Sequence, residues 1–337
     1  MKQRLTYLDN IKVMLTLLVI FHHAGQAYGQ GGGWPYTPSN NDEFLPWIWH
    51  FFAVNASFFM GLYFFISGYF IPRSFDHQGF ATFVKKKLLR LGVPLVAMGS
   101  VISFCTGKFE LAHMWFVENL LFFCILYALF RLAAKPIDNQ CNSRPTIIGL
   151  TAAALIMGFG SWIIREASPQ DHWISLWVLV LEPAHYLQYV MMFVLGILAY
   201  RFDWLDKMNN KTGATALAIG LLLALDHYLR GTFPWDELVW QWFGFYESLM
   251  CVFISFGLLW IFRQYANKEN AVMQWLAQQS YGAYVFHLPL MLGIQYLCDG
   301  LWMGAFAKFL FIGVATAIVS FLNAWLIRLI PGAKKVI

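Results

Sequence analysis

Long apolar runs follow one another along the chain, separated by short polar or Gly- and Pro-containing breaks. A helix needs about 20 mainly apolar residues to cross a bilayer, and about ten stretches meet that requirement. Strands of a closed barrel alternate apolar and polar positions instead, so these continuous runs predict helices. The predicted spans are 11–29, 47–71, 88–106, 112–134, 146–164, 184–200, 212–229, 239–262, 275–298 and 305–330.

A further apolar run, from Trp173 to Leu181, precedes the sixth span. It is too short to cross a bilayer, and Glu182-Pro183 separates it from the span that follows. We predict a half-helix or an interfacial segment at this position.

Composition excludes a water-soluble fold. Of the 337 residues, 59% are hydrophobic and 12% are charged, and the mean hydropathy is +0.55. A soluble protein has about a quarter of its residues charged to cover its surface, so lipid must cover much of this exterior. We therefore expect an all-α, polytopic helical bundle in the cell membrane, with the lipid bilayer as a partner.

Lysine and arginine predict the orientation. Most of the 23 Lys and Arg residues fall on alternate connections between the predicted spans, and cytoplasmic loops accumulate such residues. The pattern predicts that both termini are cytoplasmic, and it accounts for the net charge of +5 without a nucleic-acid partner. Since no linker or repeat divides the chain, we expect one membrane domain over 1–337, without a cleaved signal peptide or an appended soluble domain.

Ionisable residues inside the predicted spans are candidates for function, because each is costly in hydrocarbon. The five cysteines have no CxxC spacing, so we expect no disulfide framework and no zinc or other metal site. The intramembrane candidates are Lys12, His22, His23, His113, Glu118, Asp226, Glu247 and His287.

Lys12 and His23 share one face of the first predicted helix. Eleven residues at about 100° each differ from three full turns by only about 20°, and they separate the two side chains by about 16 Å along the axis. His22 projects about 100° away from that face. Such a stripe suits a long ligand whose anionic end is held near the cytoplasm and whose reactive end lies near the outer face.

A second basic group begins the third span. Lys87 and Arg90 are at positions i and i+3, which are neighbours on a helix surface. Anchoring of the span at the cytoplasmic surface is the alternative role, and we favour it for Lys85 and Lys86. For Arg90, which lies deeper in the apolar run, we favour phosphate binding.

Five motifs occur in order along the whole chain: Lys12 with His23, Phe64–Tyr69, Lys87-x-x-Arg90 with Pro94, His113–Phe116 and Ser280–His287. Together they resemble the membrane acyltransferase family 3. Lys replaces the usual Arg of that family at positions 12 and 87, where a point charge takes the place of a bidentate fork. The first helix and the Ser-Gly-Tyr-Phe stretch are most similar to the glucan succinyltransferase branch.

The resemblance implies an enzyme with ten core helices that transfers an acyl group, acetyl or succinyl, from acyl-CoA to a hydroxyl of an extracytoplasmic carbohydrate or cell-envelope glycan. His23 becomes the catalytic base, and Lys12, Lys87 and Arg90 help to hold the donor. The family's other motifs indicate His113, Trp115 and His287 as substrate-binding residues.

Other parts of the site come from the residues themselves. An acidic side chain should orient the His23 ring, and Glu118 and Asp226 are the two candidates. Trp34 and Tyr36, in the predicted outer loop, are candidates to stack on sugar rings, with anchoring at the membrane interface as the alternative.

Two rival functions fit the same pattern. A proton-coupled transporter or exporter also places ionisable groups inside a helical bundle, but the sequence lacks inverted-repeat symmetry. A binding or scaffold protein without catalysis is the third class. The sequence does not predict the acceptor or the oligomeric state.

Overall fold

The computed structural model describes residues 5–29, 34–39, 44–107, 110–134, 143–176, 179–230, 237 and 241–337. Nearly all of the regular structure in these residues is helical, which confirms the predicted all-α class. Residues 239–240 of the predicted span 239–262 lie outside the described residues. The helices are α1 Thr6–Gln26, α2 Ile48–Lys87, α3 Val93–Thr106, α4 Trp115–Ala133, α5 Ile147–Ala167, α6 Pro183–Arg201, α7 Trp204–Lys207, α8 Asn210–Tyr228, α9 Phe243–Tyr265, α10 Ala271–Leu297 and α11 Ala305–Leu329.

Six helical stretches among the described residues are long and apolar enough to cross a membrane, so the chain is a multi-pass membrane protein. The other predicted spans, in α1, α8 and α10, are helical but are not among those six. The total of about ten spans and the cytoplasmic termini therefore stay predictions. The six stretches are Ile48–Thr106, Ala112–Ala133, Ile147–Ala167, Pro183–Arg201, Phe243–Tyr265 and Ala305–Leu329.

The second and third predicted spans are joined by helix. α2 continues past residue 71 to Lys87, and a π-helical turn at Leu88–Gly92 leads directly into α3. Gly79 interrupts α2 with φ 71° and ψ 172°, a backbone conformation that other residues rarely adopt. The polar connection expected between these spans is thus helical on both sides of Gly79, because hydropathy marks where a segment leaves lipid and not where helical hydrogen bonding stops.

Two short paired strands occur within the apolar run at 173–181, so the half-helix was a wrong prediction. Strand β1, Ile174–Leu176, pairs antiparallel with β2, Leu179–Leu181. α4 supplies hydrogen bonds to the second strand: the Val180 N–H donates to Glu118 at 2.9 Å, and Asn119 donates to the Val180 carbonyl at 2.9 Å. These bonds satisfy backbone groups that a helix would have satisfied internally.

The described residues group into two compact units. The first contains residues up to 56 together with 267–337, and in it α10 packs against both α1 and α11. Its core includes Ile20, Ile48, Met291 and Ile312, all at most 1% exposed. The expected single membrane domain stays a prediction.

The second unit comprises residues 57–266, in which α9 packs against α5 and α8. The backbones of α2 and α6 approach closely at two glycines. A Cβ on Gly68 would lie 2.2 Å from the Phe193 carbonyl oxygen, and one on Gly196 would lie 2.0 Å from that of Phe65. Small residues that let backbones touch are typical of helix packing in membranes, which gives the Ser-Gly-Tyr motif around Gly68 a structural role.

Candidate active site

α1 carries Lys12 and His23 on one uninterrupted helix, Thr6–Gln26, as the predicted stripe requires. The Lys12 ammonium forms an ion pair with Asp9, one turn earlier, at 2.7 Å. The bond holds the lysine side chain near the first turns of α1, and His23 lies in the last turn.

His23 bonds to a second histidine. Its Nδ1 lies 2.8 Å from Nε2 of His287, and the two rings are within 10° of parallel. His287 is completely buried in α10, and its own Nδ1 lies 2.6 Å from the carbonyl oxygen of Tyr284, one turn earlier. The sequence marked both histidines but not their contact, which depends on how α1 packs against α10.

With both rings neutral, these contacts fix the tautomers. A carbonyl oxygen only accepts hydrogen bonds, so His287 must donate from Nδ1 to Tyr284. A neutral His287 then presents a lone pair on Nε2, and His23 must donate to it from Nδ1. The remaining nitrogen of His23, Nε2, is therefore unprotonated and able to accept a proton.

Trp34 lies against His23. Its ring is 5.7 Å from the His23 ring, centroid to centroid, and within 20° of parallel. The indole N–H donates to Oε1 of Gln295, in the last turns of α10, at 2.9 Å. The sequence indicated Trp34 but gave no signal for Gln295, an ordinary amide on an apolar helix.

The rest of segment 34–39 is held at the end of α10 by Asp299. Tyr36 donates its hydroxyl to this carboxylate at 2.6 Å, and the backbone N–H and hydroxyl of Ser39 donate to it as well. Lys308 donates to the Asp299 carbonyl. The hydrogen bonds from Ser39, then Tyr36, lower the pKa of Asp299 to about 2. Tyr36 is 3% exposed, so its ring packs inside the first unit.

His22 has different surroundings from its neighbour. Its ring lies 4.9 Å from that of Phe52, and it meets the His23 ring edge to face. The two adjacent histidines thus point to different partners, as their spacing on the helix predicts.

The two candidate acidic partners have contacts within the second unit. Glu118 is 6% exposed and accepts the hydrogen bond from Val180 described above. Asp226, in α8, accepts from the Tyr246 hydroxyl at 3.0 Å and lies 3.9 Å from Arg230. Each carboxylate therefore has a structural partner, and the orienting role given to either of them stays a prediction.

His113 and Trp115 lie at the start of α4. His113 is 5% exposed and lies in a 3₁₀ turn, Ala112–Met114. Trp115 stacks on Tyr189 at 5.4 Å and meets Trp173 edge to face at 5.5 Å. The motif thus builds an aromatic cluster in the second unit, beside the paired strands.

The basic pair at the end of α2 is exposed in part. The Lys87 ammonium lies 5.4 Å from the centre of the Phe83 ring, a cation–π contact, and Arg90 is exposed in the π-helical turn. The packing of the described residues therefore does not enclose Arg90.

The structure contains a buried charged network that the sequence did not predict, although Glu247 was among the intramembrane candidates. His185 Nδ1 bonds to Glu182 at 2.6 Å, its Nε2 bonds to Glu247 at 2.9 Å, and Arg165 also pairs with Glu247. Carboxylates only accept, so both nitrogens of His185 donate and the ring is protonated. The sequence shows the four residues, but only Glu182 and His185 are related by a helical spacing, i and i+3. No local spacing relates this pair to Arg165 and Glu247, which lie on two other helices.

Among the described residues, no three His, Cys, Asp or Glu side chains are grouped as a metal site requires.

Comparison with known proteins gives the chain its relatives. A family model described as an acyltransferase domain matches residues 5–325. The chain is 24% identical over 365 residues to "Glucans biosynthesis protein C" of Escherichia coli O81 (strain ED1a), covering 95% of this chain and 91% of the relative. The protein of that name in Escherichia coli (strain K12) matches with the same identity and coverage. No solved structure matches.

Proposed function

The chain belongs to the acyltransferase 3 family, and from that premise we propose that it is an integral membrane O-acyltransferase. It moves an acetyl or succinyl group from acyl-CoA, bound on the cytoplasmic side, to a hydroxyl of an extracytoplasmic carbohydrate or cell-envelope glycan. The resemblance of the five motifs to this family is confirmed by the match over residues 5–325. That the relatives are named for glucan biosynthesis supports a carbohydrate acceptor.

The observation that carries the proposal is the hydrogen-bonded order Tyr284, His287, His23. The Tyr284 carbonyl sets the tautomer of His287, and His287 sets that of His23. In this tautomer the lone pair of His23 is on Nε2, and a neutral imidazole nitrogen that can take a proton is the requirement for a general base near neutral pH. His287 thus acts on the reaction through His23, because it orients the His23 ring. The sequence led us to expect an acidic side chain in this orienting role.

The transfer follows from that lone pair. His23 Nε2 takes the proton of the acceptor hydroxyl while the oxygen attacks the thioester carbonyl carbon. The tetrahedral intermediate then collapses, the carbon–sulfur bond breaks, and the departing thiolate takes the proton back from His23. For the oxyanion we propose Asn55, because its side-chain N–H₂ is buried and has no hydrogen-bond partner among the described residues.

Basic residues support the donor site. Arg90 is exposed, and its guanidinium matches phosphate oxygens in a bidentate manner. Lys87 and Lys12 add point charges, and a phosphate has to compete with Asp9 for Lys12. We propose that these three residues hold the nucleotide end of acyl-CoA.

On the acceptor side we propose Trp34, His113 and Trp115. Trp34 adjoins His23, where an acceptor hydroxyl has to arrive, and aromatic rings stack on the apolar faces of sugars. Tyr36 supports this region indirectly, through its bond to Asp299.

A proton-coupled transporter is the alternative, and the buried network around His185 is the observation that favours it. Covalent transfer distinguishes the two. Purified protein in proteoliposomes, supplied with radiolabelled acetyl-CoA or succinyl-CoA and a glucan, should attach label to the glucan, whereas protein-free vesicles should not. Label that crosses the membrane but stays unattached indicates the transporter, and no attached label with either donor contradicts the proposal.

A further inference from the structure

Gln295 is a buried amide that the reaction described above does not use. Its side chain is in α10, the residue is 1% exposed, and Oε1 accepts the hydrogen bond from the Trp34 indole. We propose that Gln295 is a positioning residue for His23, acting through Trp34. This inference rests on the proposed role of His23 as the base.

The direction of the bond is certain from the chemistry of the two groups. An indole N–H can only donate, so the amide atom facing it must be the oxygen. The amide nitrogen of Gln295 is buried and has no partner among the described residues. Holding Trp34 is therefore the hydrogen-bonding role that the structure gives to this side chain.

Trp34 needs such a bond because its backbone lies outside helices and strands. The residues of segment 34–39 have no regular secondary structure, so side-chain bonds to the end of α10 determine where the segment lies. Tyr296 donates to the Pro35 carbonyl, Tyr36 donates to Asp299, and Trp34 donates to Gln295. Of these three bonds, that of Gln295 is the one made by the ring that touches His23.

The indole limits how the imidazole can turn. With Trp34 nearly parallel to one face of His23 and His287 bonded at Nδ1, rotation of the ring breaks a stacking contact as well as a hydrogen bond. Nε2 therefore keeps a constant direction toward the acceptor. An aromatic face also favours the imidazolium that forms when the proton is taken. Loss of Gln295 should free Trp34 and then the His23 ring.

Chemical modification tests this without donor or acceptor. The full-length protein is treated with diethyl pyrocarbonate, and carbethoxylation of His23 is followed by mass spectrometry in the wild type, Trp34→Phe, Gln295→Met and the double variant. Each single substitution removes one partner of the bond and keeps a side chain of similar shape. We expect the His23 rate to rise about 2- to 12-fold in each, the factor expected from one neutral hydrogen bond.

The double variant should react no faster than the faster single variant, because both substitutions break the same bond. His22 is the internal reference and should keep its rate. Gln279→Met, another buried amide of α10 about 24 Å from Gln295 along the helix, is the matched control and should leave His23 unchanged. An unchanged His23 rate in Gln295→Met, or rates that multiply in the double variant, overturns the proposal.

Transfer assays on the same preparations give a second readout. Gln295→Met should lower kcat severalfold, in addition to any rise in the acceptor KM that comes from freeing Trp34. A raised KM with an unchanged kcat would make Gln295 an acceptor-binding residue and overturn the positioning role. If the wild type transfers no label, the proposed function fails, and the modification rates still decide whether Gln295 positions His23.

Discussion

Replacement of Gly68 by alanine tests the helix crossing that fixes α2 against α6. The new Cβ would lie 2.2 Å from the Phe193 carbonyl oxygen, whereas a carbon and an oxygen in contact need about 3.3 Å. The helices must therefore separate locally by about 1 Å. Overpacking costs about 1–3 kcal/mol, and two rigid backbones favour the upper end. The better helix propensity of alanine returns about 1 kcal/mol, so we expect a net destabilisation of about 2 kcal/mol.

Gly293 in α10 is the matched control, because nothing lies within 4 Å of a Cβ built on it. Gly293→Ala should keep or raise the free energy of unfolding, by up to about 1 kcal/mol. Reversible denaturant titration of the purified variants in detergent measures both. Gly196→Ala added to Gly68→Ala should cost less than it does alone, because the first substitution has already separated the helices. Equal stability of Gly68→Ala and Gly293→Ala would refute the close crossing.

Three further predictions concern the site. Arg90→Ala should raise the Kd for CoA about 10- to 150-fold in calorimetric titration, the effect of losing charge-assisted bonds worth about 1.5–3 kcal/mol, while Lys85→Ala changes it little; an equal Kd would make Arg90 a membrane anchor only. His287→Ala should lower the initial rate of transfer, but by less than the roughly 10²- to 10⁴-fold that a general base contributes at His23, and wild-type activity would remove His287 from the mechanism. The pKa of Asp299 is lowered from 3.8 to about 2, so its bonds stabilise the native state above the unfolded pKa and are lost as the pH falls through the folded one. The difference in Tm between wild type and Asp299→Asn should therefore be constant above about pH 5 and shrink toward pH 2, and a difference that grows in acid contradicts this.

Hydropathy predicted where helices lie much better than where they end. The runs that became α4, α5 and α6 were placed within a few residues, because a lipid-facing helix must be apolar along its length. The continuation of α2 to Lys87 was missed, since its polar turns bond internally as the apolar ones do. The pairing of β1 with β2 was missed because β2 depends on bonds from α4, 61 and 62 residues away in sequence.

Only those relations in the site that lie within one helix could be predicted from the sequence. The spacing of Lys12 and His23 lies within α1, and helix geometry alone relates them. The contact between His23 and His287 depends on the packing of α1 against α10, which no local pattern encodes. Gln295 was invisible for the same reason: its importance comes from Trp34, a residue 261 positions away.

The assignment of His23 as the base is tested most directly by replacing each of the two adjacent histidines by alanine in separate variants. His23→Ala and His22→Ala remove the same imidazole from neighbouring positions of α1, but only His23 bonds to His287. In proteoliposomes with radiolabelled acyl-CoA, His23→Ala should lose covalent transfer to the glucan and keep its Kd for CoA, because Lys12 lies about 16 Å away along the helix. His22→Ala should retain most of the activity. An active His23→Ala enzyme, or an inactive His22→Ala enzyme beside it, would contradict the assignment of the base.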